Sequence, residues 1–295
     1  MNRGQARIYA CLTPMYARVR VSSDAMQDLA RATRIAPGSN VDLSAHPPDA
    51  RLGLRNEEAA RARTEKRAQR MADLATMLTA ERKRAVLVVL QGMDAAGKDG
   101  VVKHCLGGLN PMSVRVAGFK APNSTEIAHD FLWRIHQVVP QRGEIGIFNR
   151  SHYEDVLVVR VENLVPKQVW KRRYAAINAF EQHLATEGTT VVKLFLNISE
   201  EAQAKRFRAR IADRTKNWKF SADDLSKRAK WEEYMTAYRA MLERTSTKTA
   251  PWHIVPADHK WVRDAVVTEV LTQTLEGLDL QWPELAPELK AVVVT

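Results

Sequence analysis

Five short apolar runs recur between residues 85 and 255, and segments long enough for helices separate them. The runs are Ala85 to Leu90, Val114 to Phe119, Ile145 to Phe148, Thr190 to Leu196, and His253 to Val255. Alternation of buried strands with helical segments is typical of a parallel sheet with helices on both faces. The pattern therefore predicts a three-layer α/β fold built on a five-stranded parallel sheet.

A charged segment with helical periodicity precedes the first run. Between Asn56 and Arg84, the apolar positions that share one face are Met71, Leu74, Met77 and Leu78. This spacing predicts a long amphipathic helix laid on the core, with its many arginines on the solvated face. We expect residues 1–23 to form a basic, disordered arm, 24–84 a linker and this helix, 85–280 the core, and 281–295 a tail.

The first apolar run leads directly into Gly92-Met-Asp-Ala-Ala-Gly-Lys-Asp-Gly100. This follows the Walker A pattern G-x-x-x-x-G-K-[ST] except at Asp99, which replaces the hydroxyl residue that usually reaches Mg²⁺. Gly92 and Gly97 let the backbone turn its amides inward, and Lys98 supplies a cation for phosphate. A glycine-rich turn without a ligand is the alternative. With right-handed crossovers, the position of this loop predicts a P-loop kinase-like fold.

A strongly basic segment lies between the fourth and fifth runs, at about residues 199–230. Ser221-Ala-Asp-Asp224 has the form of a capping box that begins a new helix. We therefore expect two helices joined by a loop over residues 215–220. Such a basic helical pair predicts a lid over transferring phosphate, with a charged surface hairpin as the alternative.

Composition narrows the classes of partner. Lys and Arg number 45 against 34 Asp and Glu, which gives a net charge of +11. That balance suits a polyanion: nucleic acid, an acidic membrane or a phosphate polymer. Only Cys11 and Cys105 occur, so no disulfide framework is expected, and no apolar run is long enough to span a membrane. The sequence predicts a soluble protein of the reducing cytoplasm.

Three motifs in order carry a resemblance to a known family. They are the phosphate loop, Ile145-Gly-Ile-Phe-Asn-Arg-Ser-His-Tyr-Glu-Asp-Val-Leu-Val-Val-Arg160, and Lys216-Asn-Trp-Lys-Phe-Ser221. From about Asp24 to Leu280 the chain resembles the polyphosphate kinase 2 family. The resemblance implies reversible phosphoryl transfer between inorganic polyphosphate and nucleotides, from AMP to ADP and from ADP to ATP, with guanine nucleotides as further acceptors. It also implies a homodimer or homotetramer, and it explains the charge without nucleic acid or a membrane.

The resemblance also implies a metal site for Mg²⁺, with Mn²⁺ as a substitute. In the family an Asp in the third-strand motif shares the metal with the acidic residue of the loop, but Asn149 stands at that position here. Asp94 keeps its role, so the expected ligands are Asp94, Asn149 and Glu154, completed by water. Asn149 and the following Tyr-Glu-Asp-Val resemble the class III branch, which accepts both nucleoside mono- and diphosphates.

Roles for the remaining candidates follow from charge, because phosphoryl transfer needs positioning and charge neutralisation. The predicted catalytic residues are Asp94, Lys98, Arg150, Glu154, Arg206 and Arg210. The predicted phosphate- and nucleotide-binding residues are Gly92, Met93, Ala95, Ala96, Gly97, Asp99, Gly100, Lys103, Lys120, Asn149, Lys216, Trp218 and Lys219. Trp218 either stacks on a base or attaches the lid to the core, and His152 is expected to be structural, in an exposed turn.

Two other functions remain open at this point. One is an ATP-dependent nucleoside monophosphate kinase of the same fold, against which Asp99 and the large cationic excess argue. The other is a nucleic-acid-binding or membrane-surface protein whose loop is degenerate, supported by the basic N-terminal arm. The chain has little aromatic interleaving and no nameable recognition motif for nucleic acid.

Overall fold

The computed structural model describes residues 28–290 and residue 292. The predicted arm, residues 1–23, and Cys11 lie outside the described residues. The strands are β1 Ala85–Gln91, β2 Val114–Gly118, β3 Ile145–Asn149, β4 Thr189–Asn197 and β5 Trp252–Pro256. The helices are α1 Leu29–Thr33, α2 Glu57–Glu81, α3 Lys98–Cys105, α4 Ser124–Ile127, α5 Trp133–His136, α6 Val158–Val161, α7 Lys167–Thr186, α8 Glu200–Ala212, α9 Ala222–Ala229, α10 Trp231–Thr245 and α11 Lys260–Glu276.

All five strands pair in parallel in the order β2-β3-β1-β4-β5. Every residue of the central strand β1 is buried, since it has a strand on each side and helices above and below. The edge strand β2 is largely exposed, and Val116 in it is 52% accessible. The predicted five-stranded parallel α/β sheet is therefore confirmed.

The helices form two groups that are defined by their mutual contacts. Helix α11 contacts α2, α1 and α3, while α7 contacts α10, α6 and β4. In α2 the predicted apolar face is present, because Met71, Leu74 and Leu78 are buried and Met77 is partly buried. The Asn56 side chain caps the start of α2 by accepting from the Ala59 amide at 2.9 Å.

The sheet places the functional loops at the carboxyl ends of its strands. The phosphate loop follows β1, and the third-strand motif follows β3, whose last residue, Asn149, is paired in register with Leu90. Short 3₁₀ turns complete the described part of the chain: Leu43–Ala45, Pro111–Ser113, His152–Asp155, Asn217–Lys219 and Pro287–Leu289. Of these, His152–Asp155 belongs to the third-strand motif. None of the described helices is long and apolar enough to cross a membrane.

Candidate active site

The loop from residue 92 to residue 97 turns sharply between β1 and α3. Gly92 has φ +150° and Gly97 has φ +109°, both outside the range that other residues adopt easily. A Cβ at Gly92 would lie 2.7 Å from the Leu196 carbonyl oxygen, and one at Gly97 would lie 2.1 Å from an Arg263 nitrogen. Gly92 is thus required by space as well as by conformation, because its neighbour is backbone, whereas Gly97 is required by its conformation and lies against the end of the Arg263 side chain.

Lys98 begins α3 and folds back over the loop. Its Nζ donates to the carbonyl oxygens of Gly92 at 2.6 Å and Met93 at 3.2 Å. The first-turn amides of a helix have no partner within the helix, and in α3 no side chain at Gly97 caps them. An ammonium beside uncapped amides at a helix start is an arrangement that binds phosphate.

Next to the loop, a small cleft brings together acidic and basic side chains. Arg150 Nη2 lies 2.6 Å from Asp94 Oδ1, and Arg150 Nη1 lies 3.8 Å from Glu154 Oε2. Lys227 of α9 approaches the other Asp94 oxygen at 3.6 Å. Burial acts to raise the pKa of Asp94, but the cations of Lys98, Arg150 and Lys227 outweigh it, and the pKa is lowered. Asp94 is therefore an anion held among cations.

Asn149 and Asp99 form a second contact at the edge of the loop. Asn149 Nδ2 donates to Asp99 Oδ1 at 2.8 Å, and Lys219 Nζ donates to Asp99 Oδ2 at 2.8 Å. The bond from Lys219, with a smaller contribution from Asn149, lowers the pKa of Asp99 against the effect of burial. Asp99, which replaces the usual hydroxyl residue, thus links the loop to β3 and to the Asn217–Lys219 turn.

The basic segment after β4 forms α8, a loop with the Asn217–Lys219 turn, and α9. Ser221 and Asp224 make the predicted capping box at the start of α9. Arg210 lies 3.8 Å from Asp224, and Trp218 is 74% exposed with the Lys219 ammonium over its ring. This helical pair reaches the phosphate loop through Lys219 and Lys227.

The structure does not gather all predicted residues in one place. Asp94, Arg150 and Glu154 line the cleft, together with Gly92 and Met93. Arg206 lies behind the loop, where its guanidinium bonds to backbone carbonyls instead of facing the cleft. Four further predicted residues are exposed to solvent and do not line the cleft: Lys103, Lys120, Lys216 and Trp218.

Comparison with known proteins identifies the family. The family model of polyphosphate kinase 2 matches residues 54–282. This chain belongs to the polyphosphate kinase 2 family. The AMP/ADP-polyphosphate phosphotransferase of Meiothermus ruber is 45% identical over 262 residues, which cover 88% of this chain and 98% of that protein. The ADP-polyphosphate phosphotransferase of Rhodopseudomonas palustris is 44% identical over 266 residues, covering 86% of this chain and 92% of that protein.

A solved structure agrees with this assignment. The crystal structure of polyphosphate kinase 2 from Arthrobacter aurescens TC1 superposes with a TM-score of 0.84 at 42% identity. The match covers 88% of this chain and 92% of that chain. The P-loop kinase-like fold predicted from the sequence is confirmed for this polyphosphate kinase 2 chain.

The residues of this polyphosphate kinase 2 chain fit a Mg²⁺ ion that is held by protein carboxylates together with substrate phosphates and water. No cluster of three or more His, Cys, Asp or Glu in the described ranges is arranged to hold a metal by itself. Asp94 and Glu154 line one cleft beside the phosphate loop, and Mg²⁺ characteristically uses one or two carboxylates plus substrate phosphates and water. Asn149 Nδ2 donates to Asp99, and the role of its Oδ1 as a metal ligand stays a prediction.

Sequence reasoning missed several residues of this site. Lys227 contacts Asp94, and Tyr234 and Tyr238 line the same cleft. Gln203 and Arg263 contact the loop backbone from behind. None belongs to a local motif, so only their position in the fold reveals them. His152 also differs from expectation, since it is fully buried and not in an exposed turn.

Proposed function

We propose that this protein transfers the terminal phosphoryl group of inorganic polyphosphate to AMP and ADP, and that the reaction runs in both directions. Guanine nucleotides are further acceptors in this proposal. The observation that carries it is the contact of two lysines of the basic helical pair with the two loop carboxylates, Lys219 with Asp99 and Lys227 with Asp94. A cationic lid directly over a phosphate loop suits transfer from a polyanionic donor.

The proposed division of roles follows from these contacts. Asp94 and Glu154 hold Mg²⁺, or Mn²⁺ in its place, and the ion neutralises charge on the phosphate oxygens when it is bound. Asn149 holds Asp99 in place through its Nδ2 and offers its Oδ1 to the same ion. Lys98 and the amides of α3 bind the phosphates at the reaction centre, and Arg150 and Arg210 stabilise charge on the transferred group. Lys103, Lys120, Lys216 and Lys219 bind polymer or nucleotide phosphates, with Trp218 beside them.

The oligomeric state, compartment and partners of the enzyme are also proposals. We propose a cytoplasmic homodimer or homotetramer that acts on free polyphosphate and AMP, ADP and ATP, without nucleic acid or membrane as partner. The presence of only two cysteines agrees with a reducing compartment, and burial raises the pKa of the Cys105 thiol, which disfavours the reactive thiolate. Light scattering coupled to gel filtration measures the oligomer.

The experiment that tests the proposed function varies donor and acceptor separately. Long-chain polyphosphate with Mg²⁺ is offered to AMP and, in another reaction, to ADP, and the formation of ADP and ATP is followed. We expect turnover with both acceptors. Replacing polyphosphate by ATP, with AMP as acceptor, tests the rival reading, since an ATP-dependent nucleoside monophosphate kinase would be active only in that arm.

Replacing Asp94 by Asn is expected to lower kcat/KM for polyphosphate by about 10²-fold, because the proposed metal ligand loses its charge. The same change leaves Arg150 and Lys227 without their anionic partner. Initial rates over a Mg²⁺ titration measure the effect. Asp73→Asn removes one exposed carboxylate from α2 and is the control. Wild-type rates in Asp94→Asn at every Mg²⁺ concentration contradict the assignment.

The pH profile should depend on Lys98. Burial lowers the pKa of the Lys98 ammonium to about 8, and the charge of Asp94 opposes the shift. A lowered lysine pKa means that the cation is complete at lower pH and is lost as the pH rises through that value. We expect kcat/KM to fall as the pH rises past about 8, and the fall to disappear in Lys98→Arg, whose guanidinium keeps its proton. An identical alkaline fall in both proteins assigns it to another group.

A further inference from the structure

The backbone carbonyls of the phosphate loop are all bonded by side chains. Lys98 Nζ donates to the carbonyls of residues 92 and 93. Gln203 Nε2 donates to the carbonyl of Asp94 at 2.9 Å. Arg206 Nη1 donates to the carbonyls of residues 95 and 96 at 2.8 and 2.9 Å, and Arg263 Nη1 reaches that of residue 97 at 3.4 Å. The six carbonyls from 92 to 97 thus have fixed directions.

The direction of a carbonyl fixes the direction of the next amide. In a planar trans peptide, the C=O of one residue and the N–H of the following residue point in opposite directions. Carbonyls of residues 94, 96 and 97 that point back toward Gln203, Arg206 and Arg263 therefore turn the amides of residues 95, 97 and 98 the other way. Those amides belong to the part of the loop that faces phosphate in the proposed function.

Arg206 is the central member of this arrangement. Its other nitrogen, Nη2, donates to the carbonyl of Asp258 at 3.1 Å and to that of Ala257. One guanidinium thus joins the phosphate loop to the segment after β5. Burial, with the nearby charge of Arg263, lowers the pKa of Arg206, and the bonds to backbone carbonyls hold the guanidinium in place. Its donors are directed at backbone and not at the cleft.

We propose that Arg206 is a positioning residue of the phosphate loop, which together with Gln203 and Arg263 turns the loop amides toward bound phosphate. This inference rests on the proposed function and replaces the direct transition-state role that its charge suggested. Arg206 and Gln203 lie on α8, the first helix of the basic pair, so the same helix that leads into the lid also shapes the loop. Lysine is a poor substitute, because its donors radiate from one atom, whereas Arg206 places Nη1 on the loop and Nη2 on the segment after β5.

The test compares Arg206→Lys and Arg206→Ala with Arg208→Ala, which removes an exposed charge from the same helix. Binding of tripolyphosphate is measured by calorimetry without acceptor, and kcat and KM are measured with polyphosphate and AMP. We expect both Arg206 variants to bind tripolyphosphate at least about tenfold more weakly and to lose about 10²-fold in kcat/KM. Arg208→Ala should stay within about twofold of wild type in calorimetry.

Chemical rescue separates positioning from loss of structure. Added guanidinium should restore part of the activity and of the tripolyphosphate binding of Arg206→Ala, which a misfolded protein would not regain. If Arg206→Ala does not fold, Gln203→Ala, which removes one neutral donor to the loop, should still weaken tripolyphosphate binding. Unchanged binding with a lower kcat overturns the proposal and favours direct transition-state contact.

The outcome also distinguishes this proposal from the proposed function. If wild type binds tripolyphosphate but does not transfer phosphate from polyphosphate, the proposed donor is wrong, while the binding comparison still tests Arg206. If wild type turns over polyphosphate and Arg206→Ala binds tripolyphosphate normally, the positioning role fails and the function stands.

Discussion

Replacing Lys98 by Met is expected to lower kcat/KM for polyphosphate by about 10²- to 10³-fold, the cost of removing one donor from a preorganised anion site. Lys98 is the side chain of the loop whose ammonium lies against the Gly92 and Met93 carbonyls at the start of α3. Methionine keeps the length of the side chain and removes the charge and its donors. Because burial already disfavours the ammonium, we expect little loss of stability.

Lys66→Met is the matched control for this change, since Lys66 is an exposed lysine on α2, away from the loop. Initial rates with polyphosphate and AMP give the activity, and thermal unfolding gives the stability of both variants. Turnover of Lys98→Met within about tenfold of wild type would remove Lys98 from the phosphate site. A large drop in melting temperature would assign the effect to folding.

The sheet and the phosphate loop could be predicted because their signals are local. The run from Val86 to Leu90 is apolar and β-branched, and buried parallel strands have that composition. Gly92, Gly97 and Lys98 have a spacing that one loop geometry requires, and the structure shows a positive φ at both glycines and a close backbone contact at Gly92. The capping box at Ser221 is equally local, and it marked the start of α9 correctly.

The partners of the site residues could not be predicted in the same way. Lys227, Gln203 and Arg263 reach the loop from more than 100 residues away in sequence. Their side chains resemble those of ordinary surface residues until the packing of α8, α9 and α11 is known. Asn149 shows the same limit, because the register of β3 beside β1 directs its amide to Asp99.

The sequence predicts a structural His152 that follows Ser151 in an exposed turn. The structure instead buries the side chain completely, since Glu181 of α7 supplies a partner for its Nε2 at 3.2 Å. Lys193 of β4 then supplies the charge that balances Glu181. Burial of one polar side chain thus depends on two others that lie on different elements, a condition that no local pattern contains.

The buried cluster of His152, Tyr153, Glu181 and Lys193 supports the His152–Asp155 turn, which contains Glu154 and follows Arg150. Lys193 Nζ donates to Glu181 Oε2 at 2.7 Å, to Tyr153 Oη at 3.0 Å and to the Thr245 carbonyl at 2.5 Å. Tyr153 Oη donates to the second Glu181 oxygen at 2.7 Å. Burial favours the neutral acid, but the adjacent Lys193 ammonium outweighs it and lowers the pKa of Glu181. Glu181 is therefore stabilised as a carboxylate beside Lys193, and both side chains are buried.

Replacing Lys193 by Met is expected to reduce the free energy of unfolding by about 3–5 kcal/mol, because it leaves the Glu181 carboxylate buried without its counter-charge. Urea unfolding followed by circular dichroism measures the loss. Combining Lys193→Met with Glu181→Gln should recover part of it, since the amide is neutral and its oxygen still accepts from Tyr153. If the loss of unfolding free energy in the double variant equals the sum of the losses in Lys193→Met and Glu181→Gln, the two side chains do not act as a pair.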